Sequence, residues 1–142
     1  MPDTAKPFET ARVRTLPALK AELAALRAGG ATVGFVPTMG ALHEGHLALV
    51  RHAKSLCDKV VVSIFVNPLQ FAPTEDLDRY PRDEAGDIAR LQSVGCDLVY
   101  LPTADVLYPK NFASRIEMAG PALGLETDFR PQFFSGVATV VS

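Results

Sequence analysis

Cysteine is scarce in this chain of 142 residues, with Cys57 and Cys96 alone and neither in a C-x-x-C pair. That argues against a disulfide framework and against a metal site built on thiolates, and both read as small buried thiols in a reducing cytoplasm. Charge of one sign is lacking too: 14 Lys and Arg stand against 16 Asp and Glu, a formal net charge of −2. A nucleic-acid binder that works by neutralising phosphates needs a basic surface, so none is expected, although one small anion at a local site stays open. No run reaches the roughly eighteen apolar residues of a membrane span. The opening MPDTAKPFET has no basic stretch followed by an apolar one, so no secretory leader is expected. Internal repeats and low-complexity tracts are also missing.

What is present is a globular composition, 48% apolar and 21% charged, with enough length for the core of one domain. Residues 1–15 read as an extended lead-in. Pro17 to Gly29 reads as a helix, with Pro at its start, Leu19, Leu23 and Leu26 at helical spacing, and Gly29-Gly30 as its stop. Residues 31–37 read as a strand closed by Pro37, 38–44 as a turn, and Gly45 to Cys57 as a helix with Leu47, Val50 and Ala53 on one face. Lys59 to Val66 is a nearly continuous apolar, β-branched run, the pattern of a central parallel strand covered on both faces. Asn67 to Arg82 reads as a loop, Asp83 to Val94 as a helix ended by Gly95, Asp97 to Leu101 as a third strand, and 115–119 as a short extra one. Alternating strands and helices imply right-handed crossovers and a parallel α/β sheet, with ligands at the carboxyl ends of its strands. The final Gly136-Val137-Ala138-Thr139-Val140-Val141-Ser142 stops inside an apolar run, so the chain is expected to be part of something longer.

The densest polar constellation is Pro37-Thr38-Met39-Gly40-Ala41-Leu42-His43-Glu44-Gly45-His46, between a buried strand and a helix. A helix start there aims unpaired N–H groups and the positive end of the dipole at the strand ends, which suits an anion. Gly40 and Gly45 allow tight turns and close approach. His43 and His46 are set to donate to phosphate oxygens as charge builds on them. A zinc site is not expected, because the histidines are spaced i, i+3 rather than i, i+4 and no third ligand is evident. Two surface histidines, or a plain strand-to-helix turn with chance glycines, remain as alternatives. A second constellation, Phe65 to Phe71, carries the amides of Asn67 and Gln70, suited to hydroxyls or a carboxylate, against the alternative of an ordinary Asn-Pro turn. The charged stretch Thr74 to Asp83 reads as a solvated loop; Arg115 and Arg130 are not diagnostic.

VGFVPTMGALHEGHLALVRHAK, VVVSIFVNPLQF, RYPRD and FRPQFFSGVATVV together resemble the pantoate–β-alanine ligase (pantothenate synthetase) family, from about residue 16 to the last. The resemblance implies a Rossmann-like parallel sheet of the nucleotidyltransferase superfamily with the HIGH-type histidine motif, truncated here. Residues 1–142 would be one incomplete N-terminal nucleotide-binding domain. It implies a two-step ligation: pantoate attacks the α-phosphate of ATP to give pantoyl adenylate and pyrophosphate, then β-alanine displaces AMP. Mg²⁺ accompanies ATP; a cytoplasmic homodimer is implied. Carried over residue by residue, Met39, Gly40, Ala41, Leu42, His43, Glu44, Gly45 and His46 match the ATP-contacting stretch. His46 matches the proton donor, His43 its phosphate-contacting companion, and Gln70 the amide that binds pantoate near the β-alanine site, with Asn67 supporting that pocket.

The chain also departs from the family. Members run to roughly twice this length, and their later lysine and serine segments have no counterpart here. Arg130-Pro131-Gln132-Phe133-Phe134 stands where the commonest pattern has Arg-Pro-Gly-His-Phe, so that histidine's role does not transfer to Phe133. Val137 to Val141 reads locally as a strand, whereas the family makes it a helix, and the helix is the expectation adopted. The 142 residues alone are expected to turn over poorly. Two rivals are a related nucleotidyltransferase with another substrate and a non-catalytic nucleotide-binding or assembly domain.

Overall fold

The computed structural model describes residues 8–71, 77–117 and 133–142. Its strands are β1 (Ala11–Val13), β2 (Val33–Thr38), β3 (Lys59–Ile64) and β4 (Leu98–Tyr100), all parallel, in the order β1–β4–β3–β2. Its helices are α1 (Leu16–Leu26), α2 (Glu44–Leu56), α3 (Glu84–Ser93), α4 (Ala104–Leu107) and α5 (Phe133–Val141). From β1 the chain crosses the whole sheet to β2, then steps back to β3 and β4. Crossovers of one hand that travel in opposite directions must lie on opposite faces. The packing agrees: Leu19, Leu23 and Leu26 of α1 cover Val13, Val61 and Leu98, while Leu47 and Val50 of α2 and Ile88 and Leu91 of α3 cover Val36, Val60, Val62 and Val99. Val60, Val62, Leu98 and Val99 are fully buried, each contributing about 1.5–3 kcal/mol.

Several sequence expectations shift. The lead-in contains a strand: β1 pairs with β4 from Ala11↔Leu98 to Val13↔Tyr100, and the buried Thr10 donates its hydroxyl to Cys96 O at 2.7 Å. α1 starts one residue before Pro17, capped by Thr15 Oγ1, which accepts from Ala18 N at 3.3 Å, and it ends at Leu26 before a 3-10 turn, Ala28–Gly30. β2 continues through Pro37 to Thr38. Lys59 N donates to Thr32 O and Phe65 N to Thr38 O, so the even-numbered residues face β3. Pro37 faces the unpaired edge, where its missing N–H costs nothing. The stretch 137–141 is helical, as the family resemblance implied, not a strand. Residues 115–117 form no strand, while 118 and 119 lie outside the described residues, as do 1–7, 72–76 and 118–132 with Arg130. The expected loop after Asn67 holds two 3-10 turns, Pro68–Gln70 and Leu77–Arg79. Both cysteines are free thiols, and burial pushes that of Cys96 up to about 11. Among the described residues no helix is long and apolar enough to cross a membrane.

Candidate functional site

The site is built where the strands end. Thr38 closes β2 by donating Oγ1 to Ser63 O at 2.8 Å and accepting Gly40 N at 3.2 Å. The chain then reverses through two left-handed residues, Gly40 (φ 83°) and Ala41 (φ 50°). For alanine that conformation costs about 1 kcal/mol or more and needs outside support. The support comes from α3. The buried Asp87 carboxylate accepts Ala41 N at 3.0 Å and Leu42 N at 2.9 Å, and Leu42 drops into the core. Gly40 fits because a Cβ there would lie 3.1 Å from Ile64 Cγ2 and 3.2 Å from Asp87 Oδ2.

His43 is the N-cap of α2. Its Nδ1 accepts Gly45 N at 3.0 Å, and its own N–H donates to His46 Nδ1 at 3.1 Å. The two rings lie 4.1 Å apart, tilted by 47°. A Cβ on Gly45 would stand 2.8 Å from His43 Cε1, so glycine is what lets the ring fold back over the helix start. Since each Nδ1 accepts a backbone N–H, the neutral ring carries its proton on Nε2, and both rings keep a donor beyond the cap. Burial holds the His46 imidazole below its ordinary value, aided by the neighbouring His43 and opposed by Asp87. It is therefore mainly neutral at pH 7.

The amides at this helix start are mostly engaged within the protein. Gly40 N–H goes to Thr38, Ala41 and Leu42 to Asp87, His43 to His46 and Gly45 to His43. The sequence expectation of a row of unpaired N–H groups at this turn is thereby corrected. The donors left over are chiefly on the rings.

A cavity of about 330 Å³ lies over the strand ends, lined by Thr38, Met39, His46, Ser63, Gln70 and Tyr100 and walled by Val137, Val140 and Val141 of α5. A second, of about 510 Å³, shares Met39 and adds Gly40, Arg14, Arg82 and Asp87. Gln70 is buried and its Oε1 accepts Asn67 Nδ2 at 2.8 Å, which leaves its Nε2 as the donor end. Asn67, 1% exposed, also donates to Gly136 O at 3.1 Å, and its Oδ1 accepts Leu69 N at 3.2 Å and the Tyr108 hydroxyl at 2.8 Å. An amide has two protons and two lone pairs, so Asn67 is saturated. It does not line the cavity; it anchors Gln70 to α5.

The structure thus brings Met39, His46 and Gln70 to one cavity, with His43 stacked beside them. Ala41 and Leu42 serve the loop's own geometry, and the Glu44 carboxylate pairs with Arg51 on the outer face of α2. Sequence reading missed Asp87, Tyr100, Tyr108 and Gly136. Asp87 left one signal: it shares the core-facing positions of α3 with Ile88 and Leu91.

A doubly covered parallel sheet with a histidine-bearing turn at its carboxyl edge defines a Rossmann-like α/β domain. The family model described as Pantoate-beta-alanine ligase matches residues 11–142, and the chain belongs to that family. It is 62% identical over 129 residues to the pantothenate synthetase of Rhodopseudomonas palustris strain BisA53, covering 90% of this chain and 46% of that protein. It is 55% identical over 128 residues to that of Maricaulis maris, covering 90% and 44%. Among solved structures, pantothenate synthetase from Thermus thermophilus aligns with a TM-score of 0.78 at 50% identity, covering 93% of this chain and 46% of that one. The Francisella tularensis pantoate–β-alanine ligase, complexed with β-γ ATP and β-alanine, aligns with a TM-score of 0.85 at 40% identity, covering 93% and 51%. The chain spans about half the length of the curated relatives it matches.

Proposed function

We propose that this chain is the nucleotide- and acid-binding part of an ATP-dependent ligase that joins pantoate to β-alanine through pantoyl adenylate. The observation that carries the reading is the His43–His46 pair at the strand ends, with both Nδ1 atoms engaged by the backbone and His46 on a cavity that also holds Gln70. In the first step the pantoate carboxylate attacks the α-phosphate of ATP and pyrophosphate leaves. The imidazole Nε2–H groups donate to phosphate oxygens and gain strength as charge grows on the bridging oxygen. Gln70 Nε2 fixes the acid for in-line attack, an orientation effect. In the second step the β-alanine amine attacks the activated carbonyl and AMP leaves. The Francisella tularensis relative, complexed with β-γ ATP and β-alanine together, supports both co-substrates.

No group of three His, Cys, Asp or Glu side chains able to hold a metal occurs among the described residues. In this reading Mg²⁺ enters as the counter-ion of the triphosphate. The reading extends to residues 1–142 as a single nucleotide-binding domain that further chain completes, to a homodimer, and to the cytoplasm. On its own the chain binds ATP and turns over poorly.

Calorimetric titration of ATP·Mg²⁺ into the wild type and into His46→Ala tests this. Loss of one donor to phosphate should weaken binding by about tenfold, roughly 1.4 kcal/mol. Equal affinity of the two proteins would refute the assignment of His46.

A further inference from the structure

A buried carboxylate beneath a proposed polyanion site is electrostatically costly, yet Asp87 is 1% exposed there. Its charge is compensated on one side by Arg90 Nη1, 3.6 Å away on the same helix and half exposed. On the other side it takes two backbone N–H groups, from Ala41 and Leu42, which lie in irregular backbone and have no helix or strand acceptor of their own. These bonds hold a left-handed alanine at the entry to α2. They fix the backbone two residues before His43, whose ring in turn receives Gly45 N and whose N–H holds His46. One carboxylate therefore controls the chain path into both histidines.

We propose that Asp87 is the positioning residue of the histidine pair, clamping the Gly40–Leu42 turn so that His43 and His46 present their Nε2 atoms together. As a positioning residue it acts through the two rings, by way of the loop backbone. Its place in the loop stands independently of any ligand, and its meaning for catalysis rests on the reading of the rings as a phosphate site. A second effect is electrostatic. The groups facing His46 are His43 on its own helix and Asp87 with its companion Arg90 on α3; Tyr80 and Tyr100 line the same cavity. Of these, Asp87 favours the protonated ring and His43 disfavours it.

Asp87→Asn preserves the shape of the side chain and replaces one acceptor by a donor. NMR on the full chain then reads three things. Amide exchange at Ala41 and Leu42 should quicken by about tenfold or more. The His46 ring should titrate at lower pH than in the wild type, a direction that mere loosening toward solvent would reverse. ATP·Mg²⁺ affinity should fall by about three- to tenfold although both histidines remain. A folded Asp87→Asn protein with wild-type exchange and wild-type His46 titration overturns the proposal. Should the variant not fold, exchange in the wild type decides: Ala41 and Leu42 amides slowed by about a hundredfold over an open loop support the clamp, and open-loop rates overturn it. Altered exchange and titration without ATP binding by either protein leaves the clamp standing and removes the phosphate reading.

Discussion

Replacing Gly136 by alanine ought to help α5, because alanine is favoured over glycine in a helix interior by about 1 kcal/mol. The structure requires the opposite outcome. A Cβ on Gly136 would stand 2.3 Å from the Leu69 carbonyl oxygen, 2.6 Å from its carbon and 3.0 Å from Gln70 N. All three are backbone atoms of the 3-10 turn that carries Gln70, so no side chain can rotate away. Either α5 lifts off the turn or the turn moves. Overpacking of this kind costs about 1–3 kcal/mol. A retreating α5 also withdraws Gly136 O from Asn67 Nδ2, and a buried donor left unpaired costs about 1–3 kcal/mol more. Allowing for the helix gain, the net loss is about 1–5 kcal/mol. At about 3 °C per kcal/mol for a chain of this size, the Tm should fall by about 3–15 °C. Thermal and urea unfolding followed by circular dichroism measure it. A Gly136→Ala protein as stable as the wild type, or more so, would mean that α5 does not seat on the Gln70 turn in solution.

Two further outcomes are expected. The Tyr100 hydroxyl is the one buried side-chain polar atom without a hydrogen-bond partner among the described residues, so Tyr100→Phe should leave stability unchanged or raise it by up to about 1–2 kcal/mol. A urea midpoint that drops by the equivalent of more than about 1 kcal/mol would show that the hydroxyl is paired in solution. His46 gives a pH dependence whose sign is fixed: its folded-state value lies below the ordinary imidazole value of about 6.5, so below that pH the unfolded chain binds more protons at this residue. The stability its neutral ring supplies is complete above about pH 6.5 and is lost as pH falls toward the folded value. The stability gap between wild type and His46→Gln should therefore widen from about pH 5 to about 7.5, and a flat gap would contradict the argument.

The parts of the fold that were legible in the sequence are those whose cause is local. Lys59–Ile64 reads as a central strand because both faces are covered, and α2 and α3 read as helices because one stripe of each faces the sheet. β1 was not legible, since three residues carry no period and their order comes from pairing with Leu98–Tyr100. In α5, Val137, Thr139, Val140 and Val141 favour a strand by propensity. The helix wins through tertiary seating of Gly136 on Leu69, and the family resemblance, not the periodicity, indicated it. The candidate site divides the same way. His43, Gly45 and His46 lie within one turn of chain, and their types and spacing announce them. Asp87 meets Leu42 across 45 residues and Asn67 meets Gly136 across 69, and no local pattern encodes such a meeting.

The loop's internal bonding bears on how an anion would be gripped. A turn that offers open backbone amides can hold phosphate through those fixed donors, which also strengthen as charge develops on the oxygen they face. Here five successive or near-successive amides are satisfied within the protein, by Thr38, Asp87, His43 and His46. In the proposed reading, recognition then falls to imidazole Nε2–H groups, at a ring that burial keeps neutral. A neutral donor makes a modest bond to a phosphate oxygen that already shares its charge with a counter-ion, and a stronger one as that oxygen becomes a leaving group. Only interactions that strengthen in the transition state accelerate the chemical step. In the proposed reading, Asp87 occupies two amides that could otherwise meet the anion, so the response to developing charge falls to the rings.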